Sequence, residues 1–273
     1  MKFPTHSQEI LRFLREIRFS LDSKSDEISV DKFFALCHLI EELHNFEYEI
    51  FDNHIIIDQD NLEISFPLPL PRIKLIHIAC GYAEWLLNKY TLEGFVQVEF
   101  GDTIIDCGAF VGGFSIACAK TAGLIVAIEP SSHNYSCLDR NLKHFDNALA
   151  VRFALGDNSS ILKLNCSTSA VEHSLIDPDD GIIEYQEVVA VSRLDDLVKA
   201  IGVEKIDFLK VEAEGFEPEV IKGLGCLLPE KIAIDVSPER GGKSPAAEIS
   251  KDLQAKGYEC KQRGNVLFAR RSA

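Results

Sequence analysis

The chain has 273 residues, 46% of them hydrophobic, with 28 basic against 43 acidic residues and a formal net charge of −15. That length suits one large domain, or a domain with a smaller attachment, and is ample for a sizeable core; ordinary apolar content and 17 Phe argue against disorder. So negative a field repels phosphate backbones and anionic lipid surfaces, which disfavours nucleic acid and membrane as partners unless a local basic pocket exists.

Along the chain, residues 8–21 put Ile10, Leu11, Leu14, Ile17 and Leu21 on one helical face. Residues 31–45 repeat the pattern with Phe33, Phe34, Cys37, Ile40 and Leu43, and Asp31 suits an N-cap. The period then shortens. Residues 48–51, 54–57 and 62–66 read as short strands, separated by Asp52-Asn53 and Asp60-Asn61 turns. The run Pro67-Leu-Pro-Leu-Pro71 cannot be helix and suits an extended connector. Residues 73–90 are helical again. Residues 1–95 are therefore expected to form an N-terminal accessory region of helices and a small meander, and 96–273 the main domain.

From Gly101 strands and helices alternate. Strands are expected at 103–107, 124–128, 150–153, 161–164, 187–191, 206–211 and 232–236, with helices over 131–145, 194–201, 217–224 and 246–256 and a terminal hairpin at 258–260 and 266–269. Repeated units of this kind make an α/β, doubly wound, mostly parallel sheet. The eight cysteines are scattered, with no C-x-x-C or C-x-x-H cluster, and no H-E-x-x-H occurs, so no metal is expected. Contexts such as Ile116-Ala-Cys-Ala119 read as core thiols and suggest a reducing cytoplasm. The N-terminus lacks the apolar run of a signal peptide, and no stretch approaches 18 consecutive apolar residues.

The strongest chemical signal is Ile105-Asp-Cys-Gly-Ala-Phe-Val-Gly-Gly-Phe114, between a buried strand and a small-residue helix. Gly108 lets the chain turn sharply, and Gly112 and Gly113 would let the helix start approach a ligand. The glycine spacing is not the dinucleotide pattern. Asp106 would repel a pyrophosphate and attract an ammonium or sulfonium. Glu129 follows the next strand, 23 positions after Asp106, where a carboxylate meets ribose hydroxyls in doubly wound sheets. Pro130 and Ser131 then open a helix. Leu155 and Asp157, in Ala154-Leu-Gly-Asp157, could frame an adenine and accept its amine; an Asp in a plain turn is the competing reading.

Four glutamates, at 212, 214, 217 and 219, crowd the end of a buried strand. If that strand runs through Glu212, alternation puts Lys210, Glu212 and Glu214 on one side. Glu217 and Glu219 could equally serve only the start of the next helix.

These segments together resemble the FkbM family of S-adenosylmethionine-dependent methyltransferases, with the class I Rossmann-like methyltransferase fold: a seven-stranded, mostly parallel sheet ending in an antiparallel hairpin. The resemblance covers about 101–236. It is carried by the 106–114 turn, Ile128-Glu-Pro130, Ala154-Leu-Gly-Asp157, Ser192-Arg-Leu-Asp-Asp-Leu197 and Ile206-Asp-Phe-Leu-Lys-Val-Glu-Ala-Glu-Gly215. It implies S-adenosylmethionine as cofactor. Asp106, Gly108 and Gly112, with Ala109, Phe110 and Gly113 of the same turn, would hold its methionine part. Glu129 with Pro130 and Ser131 would hold the ribose, and Leu155 and Asp157 the adenine. Glu212 stands where the family usually has Asp, with a catalytic or cofactor-contacting role implied.

Methyl transfer to a hydroxyl needs alignment and removal of a proton. Glu212, Glu214 and His173, the last in a polar loop between two strands, are the candidate bases. The expected reaction is O-methylation of a carbohydrate or small natural product. A nucleic-acid or protein methyltransferase and a non-catalytic cofactor-binding module are the alternatives. Residues 1–95 are the natural place for acceptor specificity or homodimer contacts.

Overall fold

Alternating apolar residues at 55, 57, 64 and 66 open the folded part of the chain as a three-stranded antiparallel meander, β1 (Phe46–Ile50), β2 (His54–Gln59) and β3 (Leu62–Pro67). The structure is a computed structural model that describes residues 46–51, 53–59, 62–68, 78, 81–167, 173–176 and 183–271. The helices expected over 8–21 and 31–45, most of the proline connector, the first part of the 73–90 helix and loop residues 168–172 lie outside the described residues. The described part of that last helix is α1 (Tyr82–Lys89).

The alternating units follow: β4 (Thr103–Cys107), α2 (Gly113–Cys118), β5 (Leu124–Ile128), α3 (Ser132–Leu142) and β6 (Ala148–Val151). Three strands then form a small separate sheet: β7 (Ala154–Leu155), β8 (Ser160–Ser167) and β9 (Ile183–Ser192). The chain returns through α4 (Leu194–Ala200), β10 (Phe208–Val211), α5 (Glu217–Lys222), β11 (Lys231–Asp235), α6 (Ala246–Ala255), β12 (Tyr258–Arg263) and β13 (Val266–Arg271).

The main sheet has the order β12-β13-β11-β10-β4-β5-β6. Its neighbours from β11 to β6 are all parallel, and β13 runs antiparallel to both β11 and β12. This is the Rossmann-like methyltransferase sheet with its reversed hairpin. The direction of winding changes between β4 and β10, so their carboxyl ends open a crevice.

Alternation sorts the core. Ile104, Phe114, Phe208 and Phe268 belong to one hydrophobic cluster, and Ile105, Leu209, Ile232 and Leu267 to the other. Strands buried on both faces read as continuous apolar runs, which is why this sheet was legible. Ile55, Ile57, Ile64 and Phe66 of the meander and Tyr82, Leu86 and Tyr90 join the first cluster. A fully buried Phe66 contributes about 1.5–3 kcal/mol. Asn141 of α3 stitches the layers: its side chain accepts from the Ser65 amide and donates to the carbonyls of Ser65 and Val111.

Three expectations change. The third strand, expected at 150–153, ends at Val151; Arg152 turns out to pair with Glu187 of β9 at 3.0 Å, and Ala154 and Leu155 pair with β9 instead. The last parallel strand before the glutamates stops at Val211, so Lys210, Glu212 and Glu214 do not share one strand face. Gly112 and Gly113 serve packing. A Cβ at Gly112 would lie 2.7 Å from a Leu138 methyl, and one at Gly113 would lie 2.4 Å from the Tyr82 ring.

Candidate active site

The carboxyl ends of β4, β5 and β10 surround a cleft of about 790 Å³, open mouth included. Its walls come from four directions. Gly108 and Phe110 form one edge, and Glu129, Pro130 and Asn134 another; Phe153, Leu155, Leu164, His173 and Leu175 close it from the small sheet. Glu212, Glu214 and Phe216 face Tyr82 and Leu86 of α1.

Gly108 is required by its neighbour. At φ +68° its added Cβ would fall 1.7 Å from the Glu212 carbonyl oxygen, so only glycine lets β4 and β10 end this close together. Phe110 also adopts a left-handed φ of 53°, a conformation that costs a non-glycine residue about 1–2 kcal/mol. That twist aims its amide at Glu129.

Glu129 is buried, and both carboxylate oxygens are held. Oε2 accepts from the Phe110 amide at 3.0 Å, and Oε1 from the Ser131 amide at 3.0 Å and from Asn134 at 3.4 Å. Burial pushes its pKa up to about 7 against the pull of those donors. A carboxylate has about four acceptor positions, so Oε2 keeps capacity for a hydroxyl in the cleft. Ser131 is the N-cap of α3, its hydroxyl accepting from the Asn134 amide.

On the other side of Gly108 the acids are held by lysines. Asp106 is fully buried; the Ser115 hydroxyl donates to it at 2.7 Å and the Lys210 ammonium lies 3.1 Å away. Lys210 also donates to the Gly108 carbonyl at 2.7 Å and lies 3.3 Å from Glu212. Glu212 in turn accepts from Lys89 at 2.6 Å, and Lys89 reaches Asp235 at 2.8 Å. The result is an unbroken alternation, Asp106–Lys210–Glu212–Lys89–Asp235, with the Tyr90 ring 5.3 Å from one ammonium and 4.9 Å from the other. Burial alone would lower both lysines, but their carboxylate neighbours outweigh it and raise them.

The loop after β10 is clamped by Glu217. Its buried carboxylate accepts from the amides of Ala213 at 2.7 Å and Gly215 at 3.3 Å, and burial raises it to about 7. Glu219 pairs with Arg240, which also donates to the Gly215 carbonyl. Glu217 and Glu219 thus brace the loop. Glu214, at φ 48°, is turned toward the cleft, and its carbonyl accepts from Ser174 at 2.6 Å. His173 is lowered to about 4 by burial, which keeps the imidazole neutral at pH 7.

Of the residues singled out in the sequence, Gly108, Phe110, Glu129, Pro130, Leu155, His173, Glu212 and Glu214 share the cleft. Asp106, Ala109, Gly112, Gly113 and Ser131 stand behind it, as buried support for the turn and for α3. The Asp157 side chain is exposed outside the lining and accepts from Asn158. Lys89, Asp235 and Tyr82 were missed. Asp235 did leave a signal, an acid in an otherwise apolar strand, which is costly unless paired. Lys89 left none, because a lysine in the last turn of a helix reads as a complement to the helix dipole.

A doubly wound sheet with this strand order, and a cleft lined by a glycine turn and strand-end acids, is the arrangement of the Rossmann-like methyltransferase fold. The model for the methyltransferase FkbM domain matches residues 106–260, more than half the chain, and the protein belongs to that family of S-adenosylmethionine-dependent methyltransferases. The methyltransferase sdnD of Sordaria araneosa is 28% identical over 154 residues, covering 44% of this chain. The chain spans 60% of the length of that relative. Among solved structures, precorrin-6y C5,15-methyltransferase of Geobacter metallireducens aligns at 13% identity with a TM-score of 0.45, over 78% of this chain and 97% of that one. A fibrillarin of Aeropyrum pernix with natively bound S-adenosyl-L-methionine aligns at 12% identity with a TM-score of 0.42, over 81% and 97%.

Proposed function

We propose that the protein transfers a methyl group from S-adenosylmethionine to a hydroxyl of a carbohydrate or small natural product. The carrying observation is Glu129, a buried carboxylate fixed by backbone amides with acceptor capacity left toward the cleft at the strand ends. Glu129, with Pro130 beside it, suits the ribose; Leu155 and Phe153 offer apolar surface for an adenine; and the Gly108–Phe110 edge with Glu212 suits the methionine end. The cofactor, when bound, supplies an activated methyl on a sulfonium.

The chain's own task is then orientation, exclusion of water by the aromatic walls, and disposal of the acceptor proton. Each Glu212 oxygen already faces an ammonium, which suits a fixed anchor better than a proton shuttle. His173, neutral at pH 7, and Glu214 are the groups proposed to receive the hydroxyl proton. Asp157 is kept as a weaker candidate for the adenine amine.

A small-molecule or glycan acceptor fits the net charge of −15 better than a polyanion. No described helix is long and apolar enough to cross a membrane. A reducing cytoplasm is the proposed setting for the thiols. Residues 1–95 are proposed as an accessory region for acceptor choice and homodimer contacts. The test is a screen of sugars and small alcohols for methyl transfer, repeated with Glu129→Ala. Transfer that depends on Glu129 supports the reading. Cofactor binding without transfer to any acceptor class would favour a non-catalytic module.

A further inference from the structure

The helix α1 lies before the segment that matches the family model, yet it enters the cleft. Tyr82 and Leu86 line it, and Lys89, one turn further on, falls on the same helical face. The C-terminal end of α1 is fastened by the edge strand of the main sheet. Arg263 of β12 donates to the carbonyls of Asn88 at 2.7 Å and Lys89 at 3.0 Å. Its backbone is therefore fixed where its ammonium meets Glu212 and Asp235.

Resting on the methyltransferase reading above, we propose that Lys89 is a positioning residue that sets the Glu212 carboxylate for the cofactor. Glu212 leaves the end of β10 on a side chain with several rotatable bonds, in a loop rather than a strand. Lys210 lies 3.3 Å from one oxygen of that carboxylate. Lys89, 2.6 Å from the other oxygen, makes the shorter of these two contacts and restrains its rotation. Asp235 and the Tyr90 ring hold Lys89 in turn, so the ammonium is not at liberty to swing to solvent. An ordered carboxylate loses less conformational entropy when a ligand docks on it. The accessory region thereby becomes part of the cofactor site.

The test is calorimetric titration of the full chain with S-adenosylhomocysteine. Lys89→Met alone leaves Asp235 buried without its cation and can fail to fold. The informative variant is Lys89→Met with Asp235→Asn, which removes that charge and spares the bond from the Ser237 amide. We expect it to fold, by near-ultraviolet dichroism, and to bind about tenfold or more weakly. Lys89→Arg should keep affinity within about threefold. If Lys89 acts through Glu212, adding Lys89→Met and Asp235→Asn to Glu212→Gln should cost less than a further twofold or so. Full affinity in the folded double variant, or losses that multiply with Glu212→Gln, would overturn the inference while leaving the function standing. Absence of binding by the unsubstituted protein would overturn the methyltransferase reading itself.

Discussion

The two sides of the cleft hold their acids in opposite ways. At the ends of β4, β10 and β11, Asp106, Glu212 and Asp235 are interleaved with Lys210 and Lys89. At the end of β5 and the start of α5, Glu129 and Glu217 are held by backbone amides with no lysine at hydrogen-bonding distance among the described residues. Each lysine-held acid has an ammonium within 3.3 Å, three acids sharing two lysines. The amide-held ones are pushed by burial to about 7, so their charge responds to pH, and of the two Glu129 lines the cleft. The kind of partner sets how each acid is held and not what it does: amide-held Glu217 braces a loop, while lysine-held Glu212 lines the cleft beside Glu129.

Gly108 is where the two sides meet, and its replacement should have the largest effect. Gly108→Ala forces a Cβ into the Glu212 carbonyl at a left-handed φ. A loss of more than about 5 kcal/mol in denaturant unfolding is expected; a variant as stable as the parent would show that the strand ends are not packed this tightly.

Next comes Lys210→Met, which leaves Asp106 buried beside only the Ser115 hydroxyl. The expected cost is about 3–5 kcal/mol, and Lys210→Met with Asp106→Leu should recover most of it. Failure of the pair to recover would mean the alternating chain is not the reason for the loss.

The amide-held side predicts a pH effect of a set sign. Glu129 and Glu217 bind protons more tightly folded than unfolded, so their stabilisation is present in full below about 4.5 and is lost as pH rises through about 7. The loss is about 3 kcal/mol per group. Glu217→Gln retains an oxygen for the Ala213 and Gly215 amides, and melting temperatures between pH 5 and 8.5 should show a shallower fall. An unchanged slope would place the titration elsewhere.

The smallest effect belongs to Arg152 and Glu187, an ion pair in which the arginine is 44% exposed. Arg152→Met should change stability by less than about 1 kcal/mol, and less still in high salt. A larger loss would mean that this pair, rather than the backbone pairing of β7 with β9, fastens the small sheet over the cleft.

Much of this was legible in the sequence because the parallel strands are unbroken apolar runs and the 106–113 turn has a distinctive glycine spacing. Glu129 was legible from its register after β5. The small sheet was not: residues 148–155 run on without a breaker, and nothing local says that the chain changes sheets at Arg152. The lysine partners were hidden for another reason. Lys89 and Glu212 are 123 positions apart, and only the packing of α1 against the strand ends joins them.

The central claim is that Glu129 faces a cofactor. Calorimetric titration of the folded protein with S-adenosylmethionine tests it most directly. The account predicts one site with micromolar affinity, weakened about tenfold or more by Glu129→Ala. A folded protein that releases no binding heat and shows no displacement by S-adenosylhomocysteine, or that binds equally well without Glu129, would contradict it.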